Sequence, residues 1–237
     1  MIILSIVSHG QLSIIKDFLG DFSRQVLPDV KIILTINIPE DESVLDNFKD
    51  LPISLIRNIA PKGFGENHNF AFLQEKSSIF AIVNPDVRIN DFSLDAMLSV
   101  LMQDRVGACA PVVVDSLGEV QDSVRKYPTI LSLAKRIISG RREPDYSWQE
   151  KPIEVDWSAG MFILFRSEAY MQVKGFDERY FMYYEDADIG RRLARKGWKT
   201  MLEPNTTVIH DAQRASHRSI RHLQWHLKSM FRFLFFP

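Results

Sequence analysis

The chain has 237 residues, 46% hydrophobic and 25% charged, with a formal net charge of −1. Such a chain buries roughly 70% of its unfolded surface, which predicts one large globular domain and excludes a disordered chain, a collagen, a coiled coil or a disulfide-stapled mini-protein. The balanced charge disfavours a nucleic-acid binder, and the single cysteine, Cys109, has no partner for an internal disulfide, as suits a reducing compartment.

No apolar run reaches the about 18 residues of a membrane span. The start of the chain has no basic leader, so Ile2–Val7 reads as a buried strand rather than a signal peptide. Helical spacing follows over Leu12–Gln25. Lys31–Ile36 and Ile53–Ile56 are the next strands, Asn67–Glu75 is helical, and Ile79–Val83 is a fourth strand. Asp91 is placed to N-cap a helix through Gln103, and Val106–Val114 is a long apolar strand. Strands apolar on both faces, alternating with helices, predict a mostly parallel sheet covered on both sides. Farther on, Arg141–Pro152 reads as a mobile loop and Val155–Phe165 as a strand pair or one bent strand. Asp186–Lys196 is a helix stopped by Gly197, Thr206–His210 a short strand, and Ser216–Phe235 a terminal helix.

Ligands of such sheets bind beyond the carboxyl ends of the strands. After the first strand come Ser8, His9 and Gly10, small and polar enough for a nucleotide to approach the backbone, or simply a capped turn. After the third comes Asn58–Asn69, whose Gly63 and Gly65 precede a helix and can turn backbone N–H groups toward an anion. The alternative is an N-cap loop with Asn67 as cap. After the fourth, Asn84-Pro85-Asp86 delivers one carboxylate to the sheet edge, suited to Mg²⁺ or Mn²⁺ shared with a diphosphate, or to an Asx-Pro turn. The densest segment is Gly175–Asp188, where aromatics surround Glu185, Asp186 and Asp188. Apolar rings and neighbouring carboxylates raise a carboxylate's pKa, which makes a general base. Acids also belong in a first helical turn, and Asp188–Arg192 is an i,i+4 pair. His210 ends a strand, as Asp86 does, and is the best second metal ligand in the chain.

In this order, Ile6-Val7-Ser8-His9-Gly10, Gly63-Phe-Gly65-x-x-x-Asn69, Asn84-Pro85-Asp86, Val155-Asp156-Trp157-Ser158-Ala-Gly160, Gly175-Phe-Asp177-Glu178, Phe181-Met-Tyr-x-Glu185-Asp186-x-Asp188-x-x-x-Arg192 and His210 resemble the family 2 glycosyltransferases of GT-A fold, in their rhamnosyltransferase-like branch. Asp122–Pro128 and Trp225–Leu234 are similar to enzymes that add L-rhamnose to GlcNAc-diphospho-polyprenol in O-antigen and cell-wall assembly. The resemblance implies an α/β, Rossmann-like, mostly parallel sheet flanked by helices with a C-terminal helix. It divides one domain into a nucleotide-sugar half (1–114), an acceptor and catalytic half (115–210) and the helix (211–237). It implies a dTDP-L-rhamnose donor, a polyprenyl-diphosphate-linked acceptor, and Mg²⁺ or Mn²⁺ on Asp86 and His210. Asp186 would be the base, with Glu185 as alternative or neighbour. Ser8, His9, Gly10, Asn37, Gly63, Gly65, Asn69 and Asn84 would line the donor pocket. Asp156, Trp157, Ser158 and Gly160 would sit near the sugars. Arg192 would touch the diphosphate or pair with Asp188. Two positions depart from the family. Ile36-Asn37 replaces the Asp-Asn pair that reads the nucleobase, and Asn84 replaces the first Asp of Asp-x-Asp, which leaves one fewer charged ligand.

From His210 to Pro237 five Lys or Arg face one acid, Asp211. A basic, aromatic helix of this kind can lie on an anionic bilayer at the inner face of the cytoplasmic membrane. There Arg214, Arg218, Arg221 and Lys228 would face headgroups while Phe231, Phe233, Phe235 and Phe236 dip in. Alternatively the helix docks its aromatics on the core or a second subunit. Lys135, Arg136, Arg141 and Arg142 are a second basic group, for acceptor phosphates or solvent. A transferase of other specificity and a non-catalytic membrane-surface scaffold are the competing readings.

Overall fold

A computed structural model describes residues 1–25, 27, 29–139, 144–210 and 220–236. Its strands are β1 (Ile2–Ser8), β2 (Val30–Ile36), β3 (Ile53–Arg57), β4 (Ile79–Val83), β5 (Val87–Arg88), β6 (Val106–Val114), β7 (Val124–Arg125), β8 (Ile153–Val155), β9 (Trp157–Ser158), β10 (Phe162–Arg166) and β11 (Lys199–His210). Its α-helices are α1 (Leu12–Arg24), α2 (Phe64–Phe72), α3 (Leu94–Leu101), α4 (Ile130–Ser139), α5 (Ser167–Gln172), α6 (Glu185–Arg195) and α7 (Ile220–Phe235). No helix among the described residues is long and apolar enough to cross a membrane.

The main sheet runs β3-β2-β1-β4-β10-β6-β11-β5, with β8 also on β11. β1, β2, β3, β4, β6 and β11 point one way, while β10, β5 and β8 oppose them. Alternation puts the two faces of each strand into two cores. Ile2, Leu4 and Ile6 of β1 pack with Phe18 and Leu19 of α1 and Met97 of α3. Ile3 packs on the other face with Phe80, Ile82, Tyr170 and Phe176. Each fully buried side chain of this kind contributes about 1.5–3 kcal/mol.

The opposed strand β10 pairs Phe162 with Val83, so it starts where β4 ends. The turn before it therefore lies at the carboxyl edge, where Asn84 N donates to Met161 O at 2.8 Å. The candidate site residues gather at this edge.

Several boundaries differ from expectation for physical reasons. α2 starts at Phe64, not Asn67, because Gly63 lets Phe64 N reach Phe181 O at 3.0 Å; a Cβ on Gly63 would lie 2.9 Å from that oxygen. Ser93 rather than Asp91 caps α3, accepting from Ala96 N. Residues 155–165 break into pieces of β8, β9 and β10. The predicted strand Thr206–His210 is the end of β11, which passes through Pro204 by a register shift. Residues 144–152 carry no helix or strand; the rest of the predicted mobile loop, and the proposed helix start at Ser216, lie outside the described residues.

Candidate active site

The loops after β1, β2 and β3 are joined by amides. Asn37 Oδ1 accepts from Lys62 N and Asn58 Nδ2 at 2.9 and 2.8 Å. Asn37 Nδ2 donates to Lys62 O and meets His9 Nδ1, both at 3.1 Å. Asn67 Nδ2 donates back to Lys62 O and Gly63 O. Asn58 and Asn67 thus brace the loop after β3 against the loop after β2, a bracing role that the sequence did not reveal for either. The turn after β1 is also committed. Ser8 Oγ accepts from Gln11 N, and Glu40 accepts from Gly10 N and Leu12 N, so these amides hold α1 in place. Lys62 pairs with Glu66 and lies over the Phe70 ring.

On the other side of the edge, α6 brings the acids. Asp186 accepts from Gly160 N at 3.3 Å and Ala187 N at 2.8 Å. Burial pushes its carboxyl up to about 6, against the lowering pull of those N–H groups. Glu185 is buried, with Oε2 lacking a hydrogen-bond partner, and burial followed by the nearby Asp186 charge raises its pKa well above the ordinary value. Two consecutive left-handed residues, Tyr183 (φ 71°) and Tyr184 (φ 68°), aim this pair. Each costs roughly 1–2 kcal/mol, so the surroundings must impose them. α7 does so: Tyr183 Oη lies 2.8 Å from His222 Nδ1, and Ser229 Oγ donates to Met182 O at 2.9 Å.

At the far side, His210 pairs in register with Val87, which sets its ring beside Asp86. Asp86 Oδ1 lies 3.1 Å from His210 Nε2, yet Asp86 Oδ1 and His210 Nδ1 are both buried without a hydrogen-bond partner. A carboxylate oxygen and an imidazole Nε2 at this spacing suit two ligands of one divalent cation, with the unpartnered Nδ1 at the other ring position. Among the described residues no third His, Cys, Asp or Glu joins them, so the rest of a coordination shell would have to come from substrate and water.

A sequence profile described as "Glycosyltransferase like family 2" matches residues 2–232. The chain belongs to this family. It is 37% identical over 164 residues to an N-acetylglucosaminyl-diphospho-decaprenol L-rhamnosyltransferase of Mycobacterium tuberculosis, covering 65% of this chain and 53% of that protein. The chain thus spans about half the length of the mycobacterial relatives it matches. It is 30% identical over 249 residues to rhamnosyltransferase WbbL of Escherichia coli K12, covering 99% and 92% of the two chains. Among solved structures, GalNAc-T7 with UDP, GalNAc and Mn²⁺ superposes at TM-score 0.74 and 13% identity, over 98% of this chain and 47% of that one. Mannosyltransferase PcManGT of Pyrobaculum calidifontis with GDP-Man and Mn²⁺ gives 0.65 and 16%, over 98% and 64%. These likenesses establish the GT-A fold.

Within this family 2 chain, some predicted site residues hold the scaffold rather than face an open edge. Asn69 is used fully: it donates to Phe176 O and Glu178 Oε1 and accepts from Tyr170 Oη and Phe176 N. Gly65 lies in the first turn of α2 against Phe176. Arg192 pairs with Asp188 at 2.6 Å and donates through Nη1 to Val173 O and Gly175 O, which ties α6 to the segment after α5, while its Nη2 is buried without a hydrogen-bond partner. Asp156 accepts from Tyr127 N and Tyr146 Oη, while the Trp157 indole N–H donates to Lys126 O. Together with Ser158, which pairs with Val124, they fix the two-stranded β7-β9 unit beside Gly160. The terminal helix is two-sided. Phe233 does not dip outward but is buried against Tyr184 and Arg191, whereas Phe231, Phe235 and Phe236 are exposed. Arg214, Arg218, Arg141 and Arg142, and the side chain of Arg136, lie outside the described residues.

Proposed function

We propose that this family 2 chain transfers L-rhamnose from dTDP-L-rhamnose to a GlcNAc-diphospho-polyprenol at the inner membrane face, in bacterial polysaccharide assembly, with inversion at the anomeric carbon. The names of the M. tuberculosis and E. coli relatives support the sugar, and the former supports the acceptor. The observation that carries the chemistry is the Asp186 carboxylate, raised to about 6 and set against the Gly160 N–H at the sheet's carboxyl edge.

Asp186 takes the proton of the acceptor hydroxyl as that oxygen bonds to the anomeric carbon. The bond from that carbon to the diphosphate oxygen breaks on the opposite face, and dTDP leaves with the bonding pair. A carboxyl of pKa about 6 is ionised at neutral pH yet more basic than an ordinary aspartate. Glu185 is buried beside it, its carboxyl raised by burial and by the Asp186 charge. The Asn37–Asn58–Asn67 amides align the donor side, and the turn ending at Gly160 aligns the acceptor. Asp86 and His210 would hold Mg²⁺ or Mn²⁺, which when bound neutralises the leaving diphosphate.

The test is turnover of dTDP-L-rhamnose with a short-chain GlcNAc-diphospholipid, with and without Mn²⁺ or Mg²⁺. Cation-dependent release of dTDP with a rhamnosylated lipid is expected, and Asp86→Ala should remove the cation's effect on dTDP binding by calorimetry. Folded protein that makes no product from this pair would overturn the donor or acceptor assignment. An unchanged cation titration in Asp86→Ala would remove Asp86 from the cation site.

A further inference from the structure

α7 has opposed faces with different work. His222, Trp225, His226, Ser229 and Phe233 recur at three- and four-residue spacing on one side, the period of a helix face. All five meet the segment Phe181–Tyr184, which contains the two left-handed tyrosines. Trp225 lies 4.7 Å from the Phe181 ring, His226 lies 5.4 and 5.3 Å from Tyr183 and Tyr184, and Phe233 lies 5.6 Å from Tyr184. Arg191 of α6 then donates to Phe233 O at 2.9 Å. The inner face therefore holds the backbone that aims Glu185 and Asp186.

The opposite face carries Leu223, Leu227, Phe231 and Phe235 at four-residue steps, each about half exposed. Arg221, Lys228 and Arg232 fall together along one edge of that stripe at 3.6 residues per turn; Arg221 and Lys228 are exposed, with Arg221 over the Trp225 ring, and Arg232 is half-buried over the Tyr180 ring. The described helix contains no acid, although the whole chain is near neutral. Ile130 and Leu131, at 61% and 81% exposure, open α4 three residues beyond Tyr127, whose ring packs in the same cluster as Phe233. An apolar stripe bordered by one row of cations is complementary to an anionic lipid surface.

We propose that this outer face of α7, with the first turn of α4, docks on an anionic bilayer, and that docking orders the Phe181–Asp186 segment through the inner face. Lipid contact thus sets the base as well as bringing the enzyme to its acceptor. The idea rests on the lipid-linked acceptor proposed above, but its readouts require no turnover.

The full chain is mixed with phosphatidylglycerol or phosphatidylcholine vesicles and followed by co-sedimentation and by amide exchange over residues 181–187. Phosphatidylglycerol should bind it and slow exchange there about tenfold, while phosphatidylcholine should do neither. Phe231→Ser with Phe235→Ser should abolish binding and protection together, with the melting temperature kept. Tyr183→Phe, which loses the contact to His222, should still sediment but lose the protection. Binding without a change in exchange would overturn the coupling, and so would protection retained in Tyr183→Phe. Absence of sedimentation would overturn the docking. So would a concentration-dependent dimer dissolved by the two serine substitutions, because the face would then belong to a second copy. Protection without rhamnosyl transfer would instead count against the proposed substrates alone.

Discussion

Glu185 and Asp186 are adjacent in sequence but differ in what surrounds their oxygens. Asp186 takes N–H groups from Gly160 and Ala187, whereas Glu185 has a buried oxygen with no partner. Asp186→Asn should therefore lower kcat by about 10²–10⁴ and leave donor binding intact. In the wild type kcat should fall tenfold per pH unit below about 6, the value to which burial brings this carboxyl. Steady-state rates from pH 4.5 to 8 check both, and an acid limb that persists in the Asn variant would count against the assignment. Glu185 makes a separate prediction about stability. Its folded pKa is raised, so the folded state holds the proton more tightly than the unfolded chain does. The resulting cost begins as pH rises past the unfolded value of 4.5 and is complete above the folded pKa. Glu185→Gln should thus raise the melting temperature at pH 7–8 by about 2–4 °C, as for roughly 1 kcal/mol, and give no gain at pH 4.

At the scale of elements, α6 reaches the edge only because it packs closely on β9. Gly190 makes that approach possible: a Cβ there would lie 2.7 Å from Trp157 Cβ and 3.0 Å from Asp156 O, groups held by their own hydrogen bonds. Gly190→Ala should push α6 away from β9, with a stability loss of about 1–3 kcal/mol. It should also lower kcat more than the loss of folded protein explains, because the Asp186–Gly160 contact spans the same junction. Thermal melts beside kcat per folded molecule test this; a melt shift with unchanged kcat would separate packing from catalysis. α6 was legible in the sequence from its acids, its amphipathic spacing and Gly197. α7's two-sidedness was not, because Phe231, Phe233 and Phe235 are chemically alike. Which of them is buried depends on Tyr184 and Arg191, some 40 residues earlier in the chain.

At the scale of the whole molecule, the alternation of apolar strands and helices exposed the sheet and its carboxyl edge, since burial on both faces writes itself into each strand. Less visible was the insertion of β10 against its neighbours. Two-residue strands such as β5 and β7 carry too little pattern to be read, yet β5 decides where Asp86 stands. Its anchor is Asp21 of α1, 2% exposed, which accepts from Arg88 Nε and Nη2 at 2.6 and 2.8 Å and from Ile89 N. Burial alone would raise the Asp21 carboxyl, but Arg88, the Ile89 N–H and Arg24 outweigh it and hold it below the ordinary range. A lowered folded pKa contributes stability above the unfolded value of 3.8 and loses it as pH falls through the folded one. Asp21→Asn should therefore cost about 2 kcal/mol at pH 7, or roughly 4–8 °C in melting temperature, with a deficit that shrinks steadily as the pH is lowered below 3.8. That is the reverse of the Glu185→Gln profile, so melts of both variants from pH 3 to 8 should diverge in opposite directions from the wild type. A deficit in Asp21→Asn that stays constant across that range would show lost packing, not the Arg88 pair, to be what the carboxylate supplies.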